Sequence, residues 1–167
     1  MPGYDYSLPG WYYVTICTKN RIECLGDVKN AIMILNRHGQ IAEQQWLWLG
    51  QQYDYVNVDV FVVMSNHLHG VLNIRDVPVW TGRDLSIRAR DRDDDGAKIK
   101  SLSELIGAFK TTSSKIIHQN GFIDFAWQRS FYDRIIADDN EYYRICQYIR
   151  DNPAKWWRDR NNTRKFE

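Results

Sequence analysis

The chain has no apolar run near the ~18 residues that a membrane-spanning helix requires, so membrane insertion is not expected. Its opening residues, MPGYDYSLPGWYY, lack a basic segment followed by an apolar one, and no secretory signal is expected there. Cysteine is scarce. Cys17, Cys24 and Cys146 are odd in number and show no CxxC spacing. That pattern argues against a cysteine-based zinc site and fits free thiols in a reducing cytoplasm. An excess of one charge is also missing: with a formal net charge of +1, the total does not advertise a polyanionic partner. There is no internal repeat, and the one biased stretch is 75–97.

What is present describes a single soluble domain, 1–167. Its 167 residues, 44% hydrophobic and 26% charged, suffice to bury a core without staples. The charges are unevenly placed. Residues 1–95 hold 9 Lys and Arg against 12 Asp and Glu, whereas residues 96–167 hold 13 against 9. A local basic surface in the second part would suit phosphates, because only charges near a nucleic-acid backbone displace counterions. A mixed, solvated surface is the alternative.

Periodicity orders the rest. Residues 11–18, WYYVTICT, are β-branched and aromatic and predict a first strand. Residues 33–35 predict a short strand closed by a turn at Asn36-Arg37-His38-Gly39. From Gln40, Ile41, Trp48 and Leu49 approach helical spacing. Residues 55–64 and 68–74 read as a strand pair joined at Ser65-Asn66. Residues 75–97 are charged, contain Pro and Gly, and predict a flexible insertion whose arginines are balanced by aspartates. Ser101 three residues before Glu104 has capping-box form, and Leu102, Leu105, Ile106 and Phe109 follow on one helical face. Residues 125–136 predict a further strand. Asp138 or Asp139 offers an N-cap for a last helix that stops before Pro153. The order strand, helix, hairpin, helix, strand, helix predicts an α+β fold: a ferredoxin-like antiparallel sheet with helices mainly on one face.

Two places carry candidate chemistry. In FVVMSNHLHGVLNI, residues 61–74, alternate side chains of a strand share a face, so His67 and His69 project together while Leu68 points away. Such a pair can supply two nitrogen ligands to a divalent ion. Two sheet histidines satisfied by hydrogen bonds fit the pair equally well. On the last helix, Glu141, Arg144, Tyr148 and Asn152 fall at i, i+3, i+4 steps, so Tyr148 and Asn152 are neighbours one turn apart. Amphipathic packing with a wet hydroxyl is the plainer reading of Tyr148. His38 and His118 have no partner at ligand spacing.

The segment MSNHLHG resembles the HUH motif of single-tyrosine transposases, two histidines around a hydrophobic residue. The likeness to REP-associated tyrosine transposases runs through YDYSLPGWYYVTICTKNR, MILNRHGQI, VFVVMSNHLHGVL, LIGAFKTTSSKI, WQRSFYDRII and YYRICQYIRDNPAKW, nearly the whole chain. Ser65 departs from it, standing where that family usually has proline. The resemblance implies that Tyr148, four residues before the Asn152-Pro153 pair, is the nucleophile. The competitors Tyr142 and Tyr143 have Cys146 and Gln147 at that offset, and neither has an asparagine there. It implies that His67, His69 and the amide oxygen of Asn152 hold a divalent metal, Mg²⁺ or Mn²⁺. It further implies attack on single-stranded DNA beside a repeat hairpin, leaving a 5′-phosphotyrosine and a free 3′-hydroxyl. The phosphoester energy is then conserved, and no nucleotide cofactor is needed.

These residue types suit that chemistry. A phenol of pKa ~10 is a weak nucleophile at neutral pH, and a divalent ion offsets charge as the phosphate is attacked. For DNA contacts the candidates are Lys110, Lys115, Arg129 and Lys155, with Arg158 and Arg160 extending the surface. Trp127, Trp156 and Trp157 are candidates for base stacking, with core packing the alternative. The sequence leaves open monomer or homodimer, and attack within one subunit or across two. A catalytically silent hairpin-binding protein and an HUH replication-initiator nickase are the competing functions; the full His, Tyr and Asn set argues against the first and the small size against the second.

Overall fold

The computed structural model describes residues 8–76, 99–159 and 161–162. From residue 77 on, the expected insertion lies outside the described residues.

Strand β1 (Gly10–Cys17) alternates as expected, sending Tyr12, Val14 and Ile16 to one side and Tyr13, Thr15 and Cys17 to the other. It lies at the centre of a four-stranded antiparallel sheet ordered β4 (Val56–Val63), β5 (His67–Ile74), β1, β6 (Tyr132–Ile135). Helix α1 (Arg37–Gln52) connects β1 to β4, by way of a small hairpin, and α2 (Leu102–Gln119) connects β5 to β6. Each returning strand skips one place in the sheet, which is the split βαβ arrangement of the ferredoxin-like α+β fold.

Two helices cover one face and one covers the other. Trp46 and Leu49 of α1, with Leu105 and Phe109 of α2, bury against Tyr12, Val14, Ile16, Leu68 and Leu72. On the opposite face, Ile149 of α3 (Asp139–Asp151) meets Tyr13, Val71 and Ile136 in a smaller cluster. Gly70 belongs to the first face. A Cβ there would lie 2.6 Å from the Trp46 ring, so the indole lies against bare backbone.

Helix termini follow their sequence signals. Ser101 and Glu104 form the capping box, and Asp138 accepts from the Glu141 N–H at the start of α3. Three local expectations change. The expected turn at 36–39 is the start of α1: Asn36 caps the His38 and Gly39 N–H groups, and the helix begins at Arg37 rather than Gln40. A strand β2 (Gly26–Lys29) pairs with β3 (Ile32–Leu35) around Asn30 and Ala31, both at positive φ. Its sequence, GDVK, holds one large apolar residue and gives no alternation to read. The expected strand at 125–136 shrinks to β6. Phe125 and Trp127 turn into the core, and residues 128–130, whose carbonyls Lys110 grips, interrupt the pairing, which resumes only as an isolated bridge between Thr18 and Trp127.

Candidate active site

The register of β1 and β5 sets Cys17 opposite His67 and Thr15 opposite His69, all on the α3 side of the sheet. Both imidazoles are fully buried. Their Nε2 atoms face each other at 3.0 Å. The other ring nitrogens are held by hydrogen bonds. His67 Nδ1 lies 2.8 Å from Asn66 Oδ1. The Asn66 amide cannot turn over, because its nitrogen donates to the carbonyls of Arg21 and Asn161. Its oxygen therefore accepts from an Nδ1–H, which leaves the lone pair of neutral His67 on Nε2. His69 Nδ1 is 2.8 Å from both the Tyr13 and Thr15 hydroxyls. Hydroxyls donate or accept, so His69 can take either tautomer.

Helix α3 brings the remaining groups. The Tyr148 hydroxyl stands 3.3 Å from His69 Nε2 and donates to Asp159 Oδ2 at 3.2 Å, while the residue as a whole is 42% exposed. One turn on, Asn152 is buried and donates through Nδ2 to the same carboxylate oxygen at 3.0 Å. A carboxylate only accepts, so this bond fixes which end of the amide is nitrogen. The amide oxygen is left buried with no hydrogen-bond partner. Burial raises the pKa of Asp159, but the Asn161 N–H, the Asn152 amide, the His67 ring and the Tyr148 hydroxyl outweigh it and hold the carboxyl below its ordinary value. The other two tyrosines of α3 stand apart. Tyr142 donates a hydrogen bond to Asp59 at 2.5 Å, and that bond, with burial, pushes its pKa well above the usual phenol value. Tyr143 is 68% exposed against Tyr142.

The donor set fits a divalent cation. Two nitrogens each about 2.1 Å from an ion at a right angle would stand about 3.0 Å apart, the observed Nε2 separation. Ligand atoms of His67, His69 and Asp159 lie within 4.8 Å of one another. The orphaned Asn152 oxygen adds a hard donor, and two nitrogens with carboxylate and amide oxygens suit ions from Mg²⁺ to Mn²⁺.

The residues picked out for DNA divide. Lys110, Lys115 and Arg129 line one shallow groove of about 610 Å³ with Thr111, Ser114 and His118. Within it, Lys110 directs its three donors at main-chain carbonyls, and burial lowers its pKa. Lys155 pairs with Asp151 at 2.8 Å. Trp127 is buried and donates to Ser113, and Trp156 packs beside the His67 ring, so both serve as walls. Trp157 is exposed, with the Arg158 guanidinium over its ring. Arg160 lies outside the described residues. Sequence reasoning missed Asp159, Asn66, Tyr13 and Thr15. The last two were findable in principle, as same-face residues of a strand expected to neighbour the histidines. Asp159 follows a 3-10 turn (Trp156–Arg158) and has no periodic signal.

No family model matches the chain. It is 35% identical over 158 residues to an uncharacterized protein of Haemophilus influenzae, covering 93% of this chain and 87% of that one. A solved REP-associated tyrosine transposase bound to a REP hairpin superposes with a TM-score of 0.62 at 17% identity, over 93% of this chain and 73% of that one. A candidate transposase from Deinococcus radiodurans superposes at 0.52 and 14% identity, over 90% and 95%. The chain belongs to one family with the Haemophilus influenzae protein, and the fold it carries is that of the REP-associated tyrosine transposases.

Proposed function

We propose that the protein is a metal-dependent transposase that cleaves and rejoins single-stranded DNA beside repeat hairpins, with Tyr148 as nucleophile. The observation that carries this reading is one convergence. The hydroxyl of a half-exposed tyrosine sits 3.3 Å from a histidine nitrogen, which is itself 3.0 Å from a second, and a buried amide oxygen nearby lacks a partner. His67, His69 and Asn152 would hold the cation, with Asp159 completing the set. When bound, a divalent ion acts as a Lewis acid on the phosphate oxygens and offsets their charge in the transition state.

The chain's own groups do the rest. The Tyr148 oxygen forms a bond to phosphorus while the bond from phosphorus to the 3′-oxygen breaks. The phenol proton passes to water as that bond forms, and the departing 3′-oxygen takes a proton from water and ends as a hydroxyl. A carboxylate below its ordinary pKa is a poor base for a phenol near 10. Asp159 therefore orients the Tyr148 hydrogen, turning the oxygen lone pairs outward, and does not ionise the phenol at rest. Rejoining is the reverse step on a new 3′-hydroxyl. The groove with Lys115 and Arg129 is the place for the hairpin backbone, and the likeness to a transposase solved with a REP hairpin supports that use.

The test is covalent trapping. With single-stranded DNA carrying a repeat hairpin and Mn²⁺, the protein should give a denaturant-resistant adduct, and Tyr148→Phe should remove it while hairpin binding stays within about twofold. An adduct that survives in Tyr148→Phe overturns the assignment. Hairpin binding with no cleavage in either metal favours a silent binding protein.

A further inference from the structure

Between α3 and β6, with Tyr148 in its lining, lies a second open space. It measures about 430 Å³ and is walled by Tyr13, Tyr132, Arg134, Glu141, Arg144 and Tyr148. That is within the size range of small-ligand sites. Its charge is positive. Arg134 pairs with Glu141, whose other oxygen accepts from the Ala137 N–H. Arg144 is exposed and makes no hydrogen bond or ion pair among the described residues. Tyr132 stands edge-on to Tyr13, with ring centroids 6.3 Å apart, and is 48% exposed. The space thus brings together the Arg144 guanidinium, the half-exposed Tyr132 ring and Tyr148.

We propose that this space is a nucleotide subsite that takes the residue retaining the 5′-phosphate, the first nucleotide downstream of the cleaved bond. The inference rests on Tyr148 acting as nucleophile. In an in-line displacement the 3′-oxygen departs on the side of phosphorus opposite the attacking oxygen. The upstream strand therefore leaves away from the Tyr148 wall, and only the downstream nucleotide remains next to it. Arg144 pairs with the next phosphate along, and Tyr132 stacks on the base. Stacking on one aromatic side chain is worth roughly 5- to 150-fold in affinity. The subsite would set base preference at one position of the target.

The experiment uses full-length Tyr148→Phe protein, which cannot react, titrated with 5′-phosphorylated tetrathymidylate. A matched probe has its first nucleotide abasic, and another carries the phosphate at its 3′ end. Arg144→Gln should weaken binding of the 5′-phosphorylated probe about 5- to 20-fold, whereas the 3′-phosphorylated probe, which lacks the terminal phosphate that sets its first nucleotide in the space, should bind weakly to parent and variant alike. Tyr132→Ala should weaken the same probe and abolish the difference between it and the abasic one. Unchanged affinity in both variants, abasic discrimination that survives Tyr132→Ala, or no binding of the 5′-phosphorylated probe at millimolar concentration overturns the proposal. Circular dichroism melts check that the variants fold. Adduct formation by the unmodified protein is scored separately. Adducts without these subsite effects sink the subsite alone, whereas subsite effects without adducts sink the tyrosine chemistry alone.

Discussion

Replacing Asn66 by alanine tests the idea that this side chain presets His67 as a ligand. Asn66 is completely buried and makes three hydrogen bonds: one accepted from His67 Nδ1 at 2.8 Å, and two donated, to Arg21 O at 3.0 Å and Asn161 O at 2.8 Å. Alanine removes all three. The Asn161 carbonyl and the His67 N–H stay buried without partners, at about 1–3 kcal/mol each, and the half-exposed Arg21 carbonyl costs less because water reaches it. The expected loss is about 2–6 kcal/mol, read as a lower urea midpoint with unchanged slope. A second effect is independent of the first. Without the Oδ1 acceptor, His67 is free to place its proton on Nε2, and Mn²⁺ affinity should fall about 10- to 100-fold. Calorimetric titration with Mn²⁺ measures that fall. A variant destabilised elsewhere, Gly70→Ala, leaves the Asn66–His67 pair untouched and should keep its affinity if it is folded. Asn66→Ala binding Mn²⁺ within twofold of the parent, or Gly70→Ala losing affinity equally, would refute the reasoning.

Three further outcomes are expected. Gly70→Ala itself drives a methyl group to 2.6 Å from the Trp46 ring, an overpacking cost of about 1–3 kcal/mol; pairing it with Trp46→Phe should recover part of the lost melting temperature. Lys110→Met should destabilise by about 1–3 kcal/mol because three carbonyls lose their shared donor; a normal melt with weakened hairpin binding would instead mark Lys110 as a phosphate contact. Burial pushes the Cys24 thiol up to about 11, so its alkylation at pH 8 should run about 100-fold slower than that of an unperturbed thiol, since the thiolate is the reactive form. The sign for stability follows: a folded-state pKa above the unfolded one gives a contribution fully present below the unfolded pKa and lost as pH climbs towards 11. Alkylation at the rate of a free thiol would refute that burial.

The parts of this fold that were legible in the sequence are those with a continuous local signal. β1 and the β4–β5 pair are runs rich in β-branched, aromatic and other apolar residues that are buried or half-buried along almost their whole length, and the capping box marks α2 because its chemistry is local. β2 was invisible for lack of a second apolar residue, and 125–136 misled because Phe125, Trp127 and Phe131 look like strand residues while Lys110, far away in sequence, takes the carbonyls a neighbouring strand would need. The same division holds at the site. His67 with His69 and Tyr148 with Asn152 are fixed offsets within one element, so each pair could be read. That the two pairs meet depends on how α3 crosses the sheet, which no offset encodes. Asp159 reaches Tyr148 across an irregular turn after Pro153, so neither its contact nor its lowered pKa had a local signature.

The half-exposure of Tyr148 follows from the packing of its neighbour. Successive helix residues turn by about 100°, so a side chain next to a fully buried one must fall at the rim of the contact. Ile149 is completely buried against Tyr13 and Val71, and the Tyr142–Asp59 bond at the β4 irregularity stops the helix from rolling about that contact. Tyr148 is thereby held over the two inner strands at the rim of the helix contact, its hydroxyl turned in towards His69 and its ring edge-on to Tyr13 and His69. Asn152, three residues beyond Ile149, comes back under the helix and is buried. One apolar anchor and one hydrogen bond thus set the two features that the proposed reaction needs, a half-exposed tyrosine beside His69 and a buried Asn152 amide oxygen.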